Sequence, residues 1–204
     1  MATKLVFVCP LEDSIQIGGF DLYSENRIHA AILFRDYVPP EAPVYPYVPA
    51  YFQSYNHQRG PLRRFLRENV SGLRPRNYLL ALHDDATDLE AHALSELLIA
   101  CGARETLMEY RAFLLSSEDA YIAVTASKRA VAVTLVRADR QETERIFVPI
   151  ADASPEMVQD AVHDLNPDDT LPVYRFCVPQ AIADANVGEP VNANEIVRNF
   201  VKIL

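Results

Sequence analysis

No stretch of the 204 residues approaches the roughly 18 to 20 uninterrupted apolar residues that a membrane-spanning helix requires, so no span is expected. The opening Met1-Ala2-Thr3-Lys4-Leu5-Val6-Phe7-Val8 is too short for a signal peptide, which points to the cytoplasm. Cysteine is scarce: Cys9, Cys101 and Cys177 stand far apart in apolar surroundings, form no C-x-x-C pair and are odd in number. A complete disulfide framework is thereby excluded, and the three are expected to be buried thiols. Positive charge is also short, with 19 Lys and Arg against 28 Asp and Glu and a net charge of −9. Such a balance argues against nonspecific nucleic-acid binding, which needs a cationic surface to neutralise phosphates. Half of the residues are apolar, enough for a real core in one large domain or two small ones.

Charge is spread unevenly. Six arginines (Arg59, Arg63, Arg64, Arg67, Arg74, Arg76) stand with one acid, Glu68, between positions 59 and 76, whereas acids dominate Asp152 to Asp169. One basic face on an acidic protein is a candidate docking surface, and an ordinary solvated helix face is the competing reading. Just before it, Tyr37 to Tyr55 holds five prolines and five tyrosines. Proline lacks the donor that a helix or central strand uses, so an extended loop is expected over residues 37–55. Rigid aromatics on a chain already restricted by proline lose little entropy on binding. Tyr45, Tyr47 and Tyr51, together with Arg63, Arg64 and Arg67, are therefore the candidate partner-binding residues; a long connector lying on its own domain is the alternative.

The order of elements is read from periodicity. Lys4–Cys9, Ile15–Tyr23 and Ile28–Phe34 predict a three-strand meander, with a turn at Ser24-Glu25-Asn26. Pro61–Asn69 predicts a helix with Pro61 in its first turn and Leu62, Phe65 and Leu66 on one face. A strand follows over Arg76–His83. Thr87 and Glu90 form a capping box that opens a helix to Cys101, with Leu89, Ala93, Leu97 and Cys101 expected inward and Gly102 as its stop. Glu105–Phe113 reads as a strand, and the polar stretch Ser116-Ser117-Glu118-Asp119 marks an expected boundary, giving domains 1–116 and 117–204. The order then restarts, with strands at Ala120–Thr125, Ala130–Arg137 and Glu144–Ile150 and a helix opened by Ser154-Pro155 and closed by Asn166-Pro167. A strand over Leu171–Val178 and a helix over Asn194–Leu204 complete it. Both halves read βββαβα, a repeat of element order without repeat of residues.

That order, with Leu62-Arg63-Arg64-Phe65-Leu66, Arg74-Pro75-Arg76-Asn77-Tyr78-Leu79-Leu80-Ala81-Leu82 and Ala100-Cys101-Gly102-Ala103-Arg104-Glu105, resembles the actin, Hsp70 and sugar-kinase superfamily. Within it, bacterial actin-like proteins such as MreB and the pilus-assembly ATPases are the nearest pattern. The resemblance implies an α/β chain of two ribonuclease-H-like halves facing each other across a nucleotide cleft. It also implies glycine-containing phosphate loops, of D-x-G type after the first strand and D-x-G-G type opening the second half, whose backbone donors approach phosphate. Those places hold Cys9-Pro10-Leu11-Glu12-Asp13-Ser14 and Thr125-Ala126-Ser127-Lys128-Arg129-Ala130, neither with glycine, and the whole chain has six glycines. Neither nucleotide nor any other cofactor is expected, and the resemblance becomes one to a reduced, non-catalytic member. Lys128 and Arg129 could still meet a phosphate as point charges.

Other constellations carry less. His83-Asp84-Asp85 follows a strand, where open α/β sheets place chemistry, and with His92 suggests a metal or a general base; helix-start chemistry explains the two acids equally. No established ligand spacing is present, so no metal is expected. Ser127-Lys128 lacks the framework of an acyl-transfer site, and the first strand lacks the carboxylates of a nuclease. A protein-association or scaffolding role, in a bacterial cell-shape, division or pilus-type assembly or with a second copy as partner, is the leading expectation. An enzyme or small-molecule binder using His83, Asp84, Asp85, Lys128 and Arg129 at a cleft is its rival.

Overall fold

The computed structural model describes residues 2–24, 27–40, 55–70, 76–138 and 144–203. Tyr45, Tyr47 and Tyr51, and with them most of the Pro/Tyr-rich segment, lie outside the described residues. The chain divides into two compact units, Met1–Leu82 with Ala86–Glu109, and His83–Asp85 with Tyr110–Leu204.

The first unit contains β1 (Thr3–Pro10), β2 (Ile15–Leu22), β3 (Phe34–Tyr37), α1 (Tyr55–Asn69), β4 (Arg76–Leu82), α2 (Asp88–Cys101) and β5 (Ala103–Tyr110, its last residue counted with the second unit). Its sheet runs β3-β2-β1-β4-β5. β1 pairs antiparallel with β2, from Thr3 opposite Leu22 to Pro10 opposite Ile15, and parallel with β4, Leu5 standing opposite Asn77. The central strands are the apolar ones because both of their faces are covered: Leu5–Cys9 and Tyr78–Leu82 are buried throughout.

The second unit follows with a 3-10 turn (Arg111–Leu114), β6 (Ala120–Ala126), β7 (Ala130–Arg137), β8 (Glu144–Pro149), α3 (Pro155–Leu165), β9 (Val173–Phe176), α4 (Gln180–Asp184), β10 (Glu189–Pro190) and α5 (Ala193–Lys202). Its sheet runs β10-β9-β6-β7-β8, the same order as the first when each is counted from its own first strand. β6 and β7 pair antiparallel, as do β7 and β8, while β6 with β9 and β9 with β10 are parallel. Alternation along β6 sends Ile122 and Val124 into a core with Val131, Val133, Leu135 and Val148, closed by Val158 and Ala161 of α3 and by Ile182 and Val187. Thr125 points to the opposite face. The two units are thus two mixed sheets of one topology, an α/β pair of ribonuclease-H-like halves.

Several local expectations shift. The third strand is Phe34–Tyr37 rather than Ile28–Phe34, because its register is set by pairing Ile15 with Tyr37 and Ile17 with Arg35. Tyr37 is held from outside the strand: its hydroxyl donates to Gln58 Oε1 at 2.8 Å. Gln58 is fully buried, and this anchor lies in a helix that starts at Tyr55, so Pro61 stands inside α1 and not in its first turn. Arg111–Leu114 is a 3-10 turn and not strand, and the contact-based division runs before it, so Ser116–Asp119 lies within the second unit. The Tyr121 hydroxyl, donating to the Ala112 carbonyl at 2.8 Å, ties that turn to β6.

On α2 the capping box forms as read, and Gly102 closes the helix at φ +114°, a left-handed conformation that glycine adopts without penalty. The buried face, however, is Ala91, Leu94, Leu97, Leu98 and Cys101, while Leu89 is 67% exposed. α4 and β10 escape sequence reading, being five and two residues long. Cys9 and Cys101 are buried thiols; Cys177 is exposed, at φ +53° just beyond the end of β9, correcting the expectation for that residue.

Candidate functional site

The segment His83–Asp85 leaves β4 and joins the second unit, where it meets the β6–β7 turn. Asp84 is buried, and its carboxylate accepts from the Thr125 hydroxyl at 2.5 Å and from the Ala112 amide at 3.0 Å. The Asp84 carbonyl accepts from Arg145 at 3.3 Å, and the Arg145 guanidinium lies 5.0 Å from the Tyr110 ring centre and 5.5 Å from that of Phe113. Arg111, fully buried, donates to the Ala126 carbonyl at 3.2 Å and stacks 5.8 Å from the Phe176 ring centre. Burial pushes the Asp84 carboxyl above the usual carboxylate range, against the opposing pull of Thr125, Ala112, Arg145 and Arg111. Burial, then the Arg111 guanidinium, holds His83 well below its ordinary value, so its imidazole is neutral at pH 7.

Asp85 closes the turn. Its Oδ2 accepts from the Ser127 hydroxyl at 2.6 Å and from Arg129 Nε at 3.0 Å, and its carbonyl accepts from an Arg129 terminal nitrogen at 2.7 Å. The Ser127 oxygen in turn accepts from the Arg129 amide at 2.9 Å and the Ala130 amide at 3.3 Å, while the Ser127 amide donates to the Ala130 carbonyl at 2.9 Å. Three backbone N–H groups at the place of a phosphate loop are therefore engaged within the turn, and the Arg129 side chain is committed to Asp85. Lys128 shares the turn and is half-buried. The corresponding hairpin between β1 and β2 is closed by the Leu11 amide donating to Ser14 at 2.7 Å.

The structure thus brings His83, Asp84, Asp85 and Arg129 into one polar network and adds Thr125, Ser127, Arg111 and Arg145. Arg111 and Arg145 do not stand out as site residues in the sequence, where Thr125 and Ser127 figure only as part of the turn and, for Ser127, in an acyl-transfer reading. For Arg111 a signal was present, since a lone arginine beside Ala112-Phe113-Leu114-Leu115 has to be buried with a partner. The Ser127 oxygen, set between two amides and a carboxylate, holds the turn together. Among the described residues, no group of three or more His, Cys, Asp or Glu stands in position to hold a metal. Arg63, Arg64 and Arg67 are exposed on α1.

Two like-ordered mixed sheets with helices define the class: the chain has the actin-like ATPase fold. Ethanolamine utilization protein EutJ from Carboxydothermus hydrogenoformans is similar, with a TM-score of 0.56 and 13% identity over 98% of this chain and 88% of that one. The cytoplasmic domain of EpsL, an inner membrane component of the type II secretion system of Vibrio cholerae, is similar at a TM-score of 0.50 and 9% identity, over 98% of this chain and 95% of that one. No family model and no curated protein matches the sequence. Among the described residues no helix is long and apolar enough to cross a membrane.

Proposed function

We propose that this chain is a non-catalytic actin-like protein that works through protein association, as an assembly scaffold without ATP hydrolysis. The observation that carries the reading is the β6–β7 turn, whose Ser127, Arg129 and Ala130 amides are engaged internally and whose Arg129 is held by Asp85. A phosphate cradle needs such amides directed outward, usually with glycine to let the ligand approach. A fold kept while this turn closes on itself favours a role for its surface. The EpsL domain, of like extent, belongs to a secretion system's inner-membrane component, which supports a place for this chain in a bacterial assembly of comparable kind. The exposed arginines of α1 suit an acidic protein partner or a second copy, and the net charge of −9 disfavours nucleic acid.

Calorimetry with ATP and magnesium tests it. No saturable heat is expected; saturable binding that also protects Lys128 or Arg129 from chemical modification overturns the reading and promotes a nucleotide-dependent activity.

A further inference from the structure

We infer that the basic face of α1 and the acidic face of α3 are the two sides of one interface, by which one copy of this chain docks on another. The inference rests on the association reading above and names its partner. Along α1, Arg59, Arg63 and Arg67 recur every fourth residue and are exposed, beside the buried row of Gln58, Leu62 and Leu66. Along α3, Glu156, Asp160 and Asp164 recur at the same interval and are exposed, while Val158 and Ala161 face the sheet. With a rise of about 1.5 Å per residue, each row spans about 12 Å with charges about 6 Å apart, so three opposite pairs can meet at once. None of these six side chains is in an ion pair among the described residues.

Each row also has an exposed apolar neighbour. Met157 is 45% exposed within α3, and Ile99 is 50% exposed two residues before Cys101, whose thiol contacts the Arg59 carbonyl at 3.5 Å. An unrelated acidic partner would need only the arginines. A complementary row of equal length and spacing on the same chain selects a second copy. Because the rows lie on different elements, two copies either exchange both contacts and close a two-fold dimer or leave one face of each kind open for further copies. Exposed pairs are individually weak and screened over about 8 Å at physiological salt, so the association is weak and salt-sensitive.

Sedimentation velocity of the full chain across concentration, at roughly 50 mM and 500 mM salt, tests this. The wild type should gain mass with concentration at low salt and lose it at high salt. The triple variants Arg59→Glu/Arg63→Glu/Arg67→Glu and Glu156→Lys/Asp160→Lys/Asp164→Lys should each associate at least about tenfold more weakly. An equal mixture of the two should recover association, because the acidic α3 face kept by the first variant meets the basic α1 face kept by the second, and the two reversed faces fit each other. Unchanged circular dichroism and urea midpoints show that both variants fold. A wild type that stays monomeric, arginine reversal acting while α3 reversal does not, or a mixture without recovery overturns self-docking. Any of these results, with calorimetry still showing no binding of Mg-ATP, leaves the association reading standing with another partner; saturable Mg-ATP binding removes that reading itself.

Discussion

Truncating Asp84 to alanine removes one carboxylate and strands two buried donors, the Thr125 hydroxyl and the Ala112 amide. Each unsatisfied donor costs about 1 to 3 kcal/mol, and Arg111 and Arg145 lose a nearby negative charge, so Asp84→Ala should cost about 3 to 5 kcal/mol in all. Asp84→Asn separates geometry from charge. The asparagine oxygen can accept from Ala112 while its amide donates to a rotated Thr125 hydroxyl, so both hydrogen bonds survive and the cost should stay within about 1.5 kcal/mol at pH 7. The sign with pH follows from the direction of the shift. A carboxyl raised above 3.8 in the folded protein keeps its proton when the unfolded chain has lost it, so the wild type loses stability as pH rises from about 3.8 through the folded value. The advantage of wild type over Asp84→Asn is therefore largest at acid pH and shrinks toward neutrality. Urea unfolding of both variants, at steps from pH 4 to pH 7 and with constant m-values, measures this. A cost below about 1 kcal/mol for Asp84→Ala would refute the view that the network holds the segment. A penalty for Asp84→Asn that grows with pH would show that the arginines outweigh burial.

His83, held low by burial and by Arg111, refuses the proton that the unfolded chain accepts below about pH 6.5. Wild-type stability should fall as pH drops from there toward the folded value, by up to about 1.4 kcal/mol per pH unit for one proton, and His83→Gln should show a shallower slope in urea titrations. Gly188→Ala, at φ +76° with its new Cβ 2.8 Å from Val173 Cγ1 and 2.9 Å from the Val173 carbonyl oxygen, should cost about 2 to 4 kcal/mol in thermal unfolding. Gly102→Ala, at φ +114° with nothing within 4 Å, should cost only the backbone component, about 1 to 2 kcal/mol.

What was legible in the sequence was local chemistry. Thr87 with Glu90 and Ser154 with Pro155 start helices wherever they occur before an apolar run, and both do so here. The buried central strands were equally readable, since β1, β4 and β6 must be apolar on both faces. Their repeated order was enough to suggest the actin-like fold. What escaped depends on residues far apart in the chain. The shift of β3 to Phe34–Tyr37 and the early start of α1 are linked by the bond between Tyr37 and Gln58, and β10 exists only because Glu189 and Pro190 fall beside Tyr174 and Arg175. At the site, sequence adjacency singled out His83-Asp84-Asp85 and Lys128-Arg129 separately. The meeting of Asp85 with Ser127 and Arg129 is a tertiary fact that no spacing encodes.

The engagement of the β6–β7 turn is tested most directly by following the backbone amide signals of Ser127, Arg129 and Ala130 by NMR during titration with Mg-ATP. Amides already bonded within the turn should stay protected from exchange and keep their shifts throughout. Saturable movement of these three signals, with loss of their exchange protection, would show a phosphate taking the place of Ser127 and contradict a turn closed to nucleotide.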